Sequence, residues 1–134
     1  MTPFRKIALP EVVDARGRLM FAEDGKHIPF TVRRLFAIYG IAPGATRGGH
    51  AHRLQHQFLI MLSGRCELDI DTGLERVAEP LEGPTQGLYV APRVWVELKD
   101  FSAGSVCLVL TSDHYDEADY IRDYGEFKRL SAGD

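Results

Sequence analysis

The sequence predicts an all-β domain, a sandwich or barrel, closed by a short C-terminal helix. Three observations carry this. Short runs rich in Val, Ile, Leu, Phe and Tyr recur along the chain with turn residues between them. In RCELDID (65–71), Cys66, Leu68 and Ile70 alternate with Glu67, Asp69 and Asp71, so one face is expected to be buried and the other wet. In ADYIRDYGEFKRL, Tyr120, Ile121, Tyr124 and Phe127 fall at helical spacing, which makes a short amphipathic helix with Gly125 as its weak point.

Taken in order, the apolar runs place strands near 5–8, 18–23, 32–41, 51–62, 65–71, 74–79, 87–91, 94–99 and 105–112. Asp71-Thr72-Gly73 supplies the turn of the hairpin that follows 65–71. Pro43-Gly44, Gly48-Gly49, Pro80, Gly83-Pro84 and Pro92 punctuate the middle of the chain. No repeat, linker or low-complexity tract interrupts the pattern.

At 134 residues the chain is expected to form a single domain over 1–134, with 45% hydrophobic and 26% charged residues sufficing for one buried core. A net charge of −3 argues against general nucleic-acid binding, which needs a clustered basic surface, so arginines must act locally. The opening MTPFRKIALPEVVDARG contains no signal-peptide core, and no later run approaches a membrane span, so no membrane association and a cytoplasmic location are expected. Cys66 and Cys107 lack a CxxC spacing and lie in apolar stretches, as reduced buried thiols do.

The stretch GATRGGHAH (44–52) carries the chemistry. His50 and His52 are two apart, so on an extended strand both project from the same face. Their setting is more specific: Gly44, His50-Ala-His52, Gln57 and Gly64 resemble in spacing the first motif of the cupin superfamily. There a glutamate usually stands where this chain has Gln57. The second cupin motif is matched only in part by GLYVAPRVWVE (87–97), whose expected histidine is missing. The resemblance implies a cupin jelly-roll β-barrel.

Metal binding is disfavoured by these substitutions, although His56 could offer a third imidazole. A transition-metal site takes three or four imidazole, thiolate or carboxylate ligands, and the neutral amide of Gln57 is a poor substitute. No metal and no other cofactor are expected. Imidazoles without a metal are suited to moving protons. A His-x-His pair can also be merely solvated, but the flanking glycines at the motif's spacing weigh against that.

DARGRL (14–19), HIPFTVRRLFAIY (27–39), RGGHAH (47–52), QFLIMLSG (57–64), GLYVAPRVWVEL (87–98) and LTSDHYDEADYIRDYGEF (110–127) together are similar to the dTDP-4-oxo-6-deoxyglucose 3,4-ketoisomerases. These are cupins acting on nucleotide sugars, and the similarity spans nearly the whole chain. The resemblance implies an isomerase that moves the ketone of a dTDP-linked 4-oxo-6-deoxyhexose from C4 to C3 through an enediol, on the route to dTDP-3-amino-3,6-dideoxysugars. It implies His50 and His52 as the acid/base residues, with His52 expected as the carbon base and His50 at oxygen. Arg16 in the DxRG stretch would stabilise the enediolate or orient the sugar.

By the same resemblance Arg34 and Arg47 are expected on the diphosphate, while Arg33, alternating with Arg34, faces solvent. Tyr39, Gln57 and Trp95 are expected beside the sugar or base. Val96 stands where a polar residue is expected, which leaves the face of reprotonation at C4 to Arg16 and the histidines. A homodimer with exchanged N-terminal strands, drawn from 5–8 and 18–23, is implied as well. Two alternatives remain open: a metal-dependent cupin enzyme, separable by metal analysis, and a non-catalytic nucleotide-sugar-binding cupin, separable by deuterium uptake into the sugar.

Overall fold

The computed structural model describes residues 2–133. Eleven strands come first: β1 (Phe4–Ala8), β2 (Glu11–Asp14), β3 (Gly17–Met20), β4 (Arg34–Ile38), β5 (Arg47–His52), β6 (Gln57–Ser63), β7 (Arg65–Asp71), β8 (Arg76–Glu82), β9 (Gln86–Val90), β10 (Trp95–Lys99) and β11 (Val106–Thr111). A single 3-10 turn (Glu117–Asp119), the short β12 (Tyr120–Ile121) and the helix α1 (Tyr124–Gly133) complete the chain.

Two five-stranded antiparallel sheets form, in the orders β1-β9-β6-β11-β4 and β12-β5-β10-β7-β8. Among the described residues no strand pair joins the two sheets, so the expected jelly-roll is a pair of facing sheets and not a closed barrel. The core lies between them. Leu59, Met61, Leu88, Cys107 and Val109 from the first sheet share one cluster with Cys66, Leu68, Ile70, Leu81, Val96 and Leu98 from the second. Burial pushes both cysteine thiols up to about 12, so they pack as inert apolar groups.

Alternation along β10 sets the two faces of the second sheet. Val96 and Leu98 point into the core, while Trp95 joins Ala51, Ile121 and Phe127 in a smaller cluster on the outside. Helix α1 covers that outer cluster. Asp123 caps its start by accepting the N–H of Glu126 at 2.8 Å.

Three expectations are corrected here. The run 51–62 is two strands in different sheets, not one, because residues 53–56 turn under a set of hydrogen bonds. Asp119 accepts the Leu54 N–H at 2.8 Å, and Ser112 accepts the His56 N–H at 2.8 Å. The helix begins only at Tyr124: Tyr120 and Ile121 are extended and pair with His52 and Ala51. Their helical spacing reflects a shared apolar target, since Ile121 from β12 and Phe127 from α1 both reach the outer cluster. Gly125 consequently falls in the first helical turn, where it weakens little.

The third concerns Asp71, expected wet but only 3% exposed. It accepts the Gly73 N–H, fixing the β7–β8 turn, and the Tyr124 hydroxyl, fastening α1 to the sheet. Strand β2, not expected from the sequence, pairs with β3 in a hairpin that joins neither sheet.

Candidate active site

The His50 strand owes its shape to glycine. Between Val96 and Glu97 the β5–β10 ladder shifts register, with His50 opposite Val96 and Gly48 opposite Glu97, so Gly49 is the extra residue of a bulge. Gly48 has φ +82°, and a Cβ there would lie 2.7 Å from the Val96 carbonyl oxygen. Only glycine fits. The bulge turns His50 toward the inner face of the sheet.

There a cavity of about 550 Å³ opens. Its apolar floor includes Ile38, Leu59, Val96, Leu98 and Val109, and its polar rim carries Arg34, Arg47, His50, Gln57, Tyr120 and Arg122. Two polar atoms on this wall, His50 Nδ1 and Arg34 Nη1, are buried with no hydrogen-bond partner. Buried polar groups are nearly always paired, so a pair of orphans on one cavity marks a place for a polar ligand.

Burial, reinforced by the charges of His52 and Arg122, lowers the His50 pKa to about 4, against smaller opposing contributions from the Gly48 backbone and Glu117. His50 is therefore neutral near pH 7, with a lone pair available to accept a proton. The Arg34 guanidinium sits 4.8 Å from the Phe36 ring centroid and 5.3 Å from that of Tyr115, which orients it without neutralising it.

His52 lies behind this wall and does not border the cavity. It is 4% exposed, and its Nδ1 is 3.0 Å from Asp119 Oδ2, while its Nε2 is 3.5 Å from the Gln55 amide nitrogen. Burial lowers its pKa, and the Asp119 carboxylate works the other way. With both ring nitrogens engaged away from the cavity, His52 does not converge with His50 and Gln57 as a metal ligand set would. Among the described residues no cluster of three or more His, Cys, Asp and Glu side chains is arranged for a metal ion.

Of the residues singled out in the sequence, Arg34, Arg47, His50 and Gln57 meet in the cavity. Trp95 does not: its ring packs on the outer face, edge to face with Tyr124 and tilted against Phe127, because it alternates with Val96. Tyr39 is also outside, 73% exposed beyond the end of β4. Arg16 stands at the tip of the β2–β3 hairpin, with its side chain 90% exposed and paired to Asp14 at 2.7 Å, away from its own chain's cavity. Arg33 is exposed, as its alternation with Arg34 implies, and its guanidinium donates to the Ser112 carbonyl at 3.3 Å.

Four residues of the 3-10 turn, β12 and the position just after it had no place in the sequence-derived site. Tyr120 packs on both histidines, with centroids 4.9 Å from His50 and 4.4 Å from His52. Arg122 lies over the Tyr120 ring at 4.2 Å and is held by two hydrogen bonds to Glu117. Asp119 holds His52. Reading 118–130 as a helix hid them; Asp116, which caps the 3-10 turn through the Ala118 N–H, was the available signal.

The family described as FdtA: WxcM-like, C-terminal, matches residues 3–132. A TDP-4-oxo-6-deoxy-alpha-D-glucose-3,4-oxoisomerase from Aneurinibacillus thermoaerophilus is 42% identical over 126 residues, covering 94% of this chain and 91% of that protein. The crystal structure of QdtA, a sugar 3,4-ketoisomerase from Thermoanaerobacterium thermosaccharolyticum in complex with TDP, superposes with a TM-score of 0.94 at 36% identity, over 98% of this chain and 96% of that one. The TDP-quinovose 3,4-ketoisomerase WlaRB from Campylobacter jejuni superposes with a TM-score of 0.91 at 40% identity, over 96% and 99% of the two chains.

Proposed function

The chain belongs to the FdtA, WxcM-like C-terminal family of sugar ketoisomerases, and from that premise we propose that it moves the ketone of dTDP-4-oxo-6-deoxyglucose from C4 to C3 without metal or nicotinamide. The observation that carries the reading is the pair of unpartnered atoms, His50 Nδ1 and Arg34 Nη1, on one cavity. A neutral imidazole and an unneutralised guanidinium suit a substrate with an acidic C–H at one end and a diphosphate at the other.

His50 is the carbon base in this mechanism, not His52 as the sequence suggested, because only His50 borders the cavity. It removes the C3 proton, which the C4 carbonyl acidifies, and the electrons of that bond form the C3–C4 double bond of an enediolate. The His50 imidazolium then returns the proton to C4. The C3 hydroxyl loses its proton and becomes the ketone, and the oxygen at C4 gains one. No atom is lost or gained. Arg34 and Arg47 hold the diphosphate and Gln57 a sugar oxygen, while the apolar floor of Leu59, Leu98 and Val109 accepts the deoxygenated C6.

Arg16 enters this account through a second copy of the chain. Val12, Val13 and Leu19 on its hairpin are 56%, 56% and 57% exposed, and Leu35 on the edge strand β4 is 64% exposed. Burying such a hairpin on a partner fits a homodimer that exchanges N-terminal strands, with β2–β3 as the exchanged element because β1 is already paired to β9 of its own chain. Among the described residues no helix is long and apolar enough to cross a membrane.

Calorimetric titration with dTDP tests the binding half of the proposal. Binding is expected, weakened about tenfold or more by Arg34→Ala or Arg47→Ala, as loss of a charge-assisted contact implies. No dTDP binding, or wild-type affinity in both variants, would overturn the assignment.

A further inference from the structure

Behind His50 lies a buried array that the reaction as written does not use. Asp119 is the last residue of the 3-10 turn, and its carboxylate is saturated by the β5–β6 connection: Oδ1 accepts the Leu54 N–H at 2.8 Å, and Oδ2 accepts the Gln55 N–H at 3.3 Å and faces His52 Nδ1 at 3.0 Å. Its own carbonyl accepts the Arg53 N–H at 2.9 Å. The carboxylate side chain is 12% exposed, and the His52 it meets is 4% exposed. The next residue, Tyr120, pairs with His52 across the β12–β5 ladder and presents its ring to both histidines.

A carboxylate can only accept, so His52 must carry its proton on Nδ1. That leaves Nε2 with a bare lone pair, facing the amide nitrogen of Gln55, which donates. Both ends of the ring thus specify one tautomer and one orientation. His50 rests against that ring, so any turn or tautomer change in His52 is passed to the base directly.

We propose that Asp119 is a positioning residue of the isomerisation: by fixing His52 as the Nδ1–H tautomer it holds His50 and Tyr120 in register with the cavity. A negative charge beyond His52 also favours the imidazolium that His50 becomes in mid-reaction, in the way a carboxylate behind a catalytic histidine does elsewhere. The inference rests on the ketoisomerase reading, and its test separates the two.

In Asp119→Asn the amide oxygen keeps the shorter Leu54 contact and turns its NH2 to His52 Nδ1, which must then accept, so the ring proton moves to Nε2. Three measurements are made: the ring 15N resonances of His52 in wild type and variant, the rate with dTDP-4-oxo-6-deoxyglucose, and the dissociation constant for dTDP. Expected are an Nδ1–H tautomer in the wild type, its inversion in the variant, a fall in kcat of about 10–100-fold, as lost outer-shell partners typically cause, and dTDP binding within about threefold. Asp119→Glu, which restores an acceptor, should recover part of the rate.

An Nε2–H tautomer in the wild type overturns the proposal even if no variant folds. So does an Asp119→Asn enzyme that keeps the wild-type kcat, or one whose tautomer is unchanged while rate, dTDP affinity and melting temperature all fall together. A wild type that does not convert the sugar defeats the isomerase reading, and the 15N spectra then decide by themselves whether Asp119 sets the tautomer.

Discussion

The rings of His50 and His52 meet edge to face, with centroids 5.1 Å apart and planes at 86°, yet only His50 borders the cavity. Two residues apart on one strand, they share a face but not a role. His50 has an unpartnered nitrogen, whereas His52 spends both of its nitrogens on Asp119 and Gln55.

Replacing His50 with Asn should therefore lower kcat by about 10²–10⁴-fold, the usual loss with a general base, while dTDP binding changes little. Single-turnover kinetics alongside dTDP calorimetry check this. A variant retaining more than about a tenth of the wild-type rate would remove His50 from the base role.

The depressed pKa of His50, about 4, fixes the sign of the pH dependence. The base must be unprotonated, so kcat/KM should stay level from neutral pH down past the ordinary histidine value of about 6.5 and fall only as pH approaches about 4. Stability follows the same direction: an unfolded histidine binds a proton below about 6.5 that the folded one resists, so stability present above that pH is lost progressively toward 4. His50→Asn should flatten that loss in urea titrations run across the interval. An acid limb centred near 6.5 would contradict the buried neutral imidazole.

Gly48→Ala should destabilise the fold by about 1–3 kcal/mol, because alanine must adopt a left-handed φ and press its Cβ on the Val96 carbonyl. The midpoint of urea unfolding measures the loss, and kcat should fall with it as the bulge carrying His50 shifts. An unchanged midpoint would mean that the bulge is not needed to shape the strand.

The all-β class was legible because alternation in 65–71 and the apolar runs report burial directly; of four cavity residues, His50 and Gln57 were legible from motif spacing, and Arg34 and Arg47 from the resemblance to the ketoisomerases. Trp95 and Tyr39 were misplaced for want of strand phase: a shift of one residue moves a side chain to the opposite face, and the sequence around 95–96 is apolar on both. The contribution of Asp119, Tyr120 and Arg122 was hidden because an extended dipeptide and a helix converge on the same apolar cluster and so mimic one helical stripe. Tertiary pairing with β5, which no local pattern encodes, decides that segment.

Activity should survive exhaustive EDTA treatment, since His52 is committed to Asp119 and Gln57 offers only an amide. Activity lost on chelation and restored by one divalent ion would overturn the metal-free reading.

Val12→Asp with Leu19→Asp should convert a dimer to a monomer in light scattering, since the two residues are cross-strand partners and the change places two charges on one apolar hairpin face, and should cut the rate wherever Arg16 acts across the dimer. A wild type that is monomeric at micromolar concentration would instead leave Arg16 without a site to enter.

Most direct is NMR of dTDP-4-oxo-6-deoxyglucose incubated with the protein in D2O. The account predicts a 3-oxo product, with the C3 proton gone, a new C4 centre bearing a proton or deuteron, and C5 unlabelled; His50→Asn under the same conditions leaves the sugar unchanged. Substrate that remains a 4-oxo sugar after prolonged incubation, or that gains deuterium at C5, would contradict it.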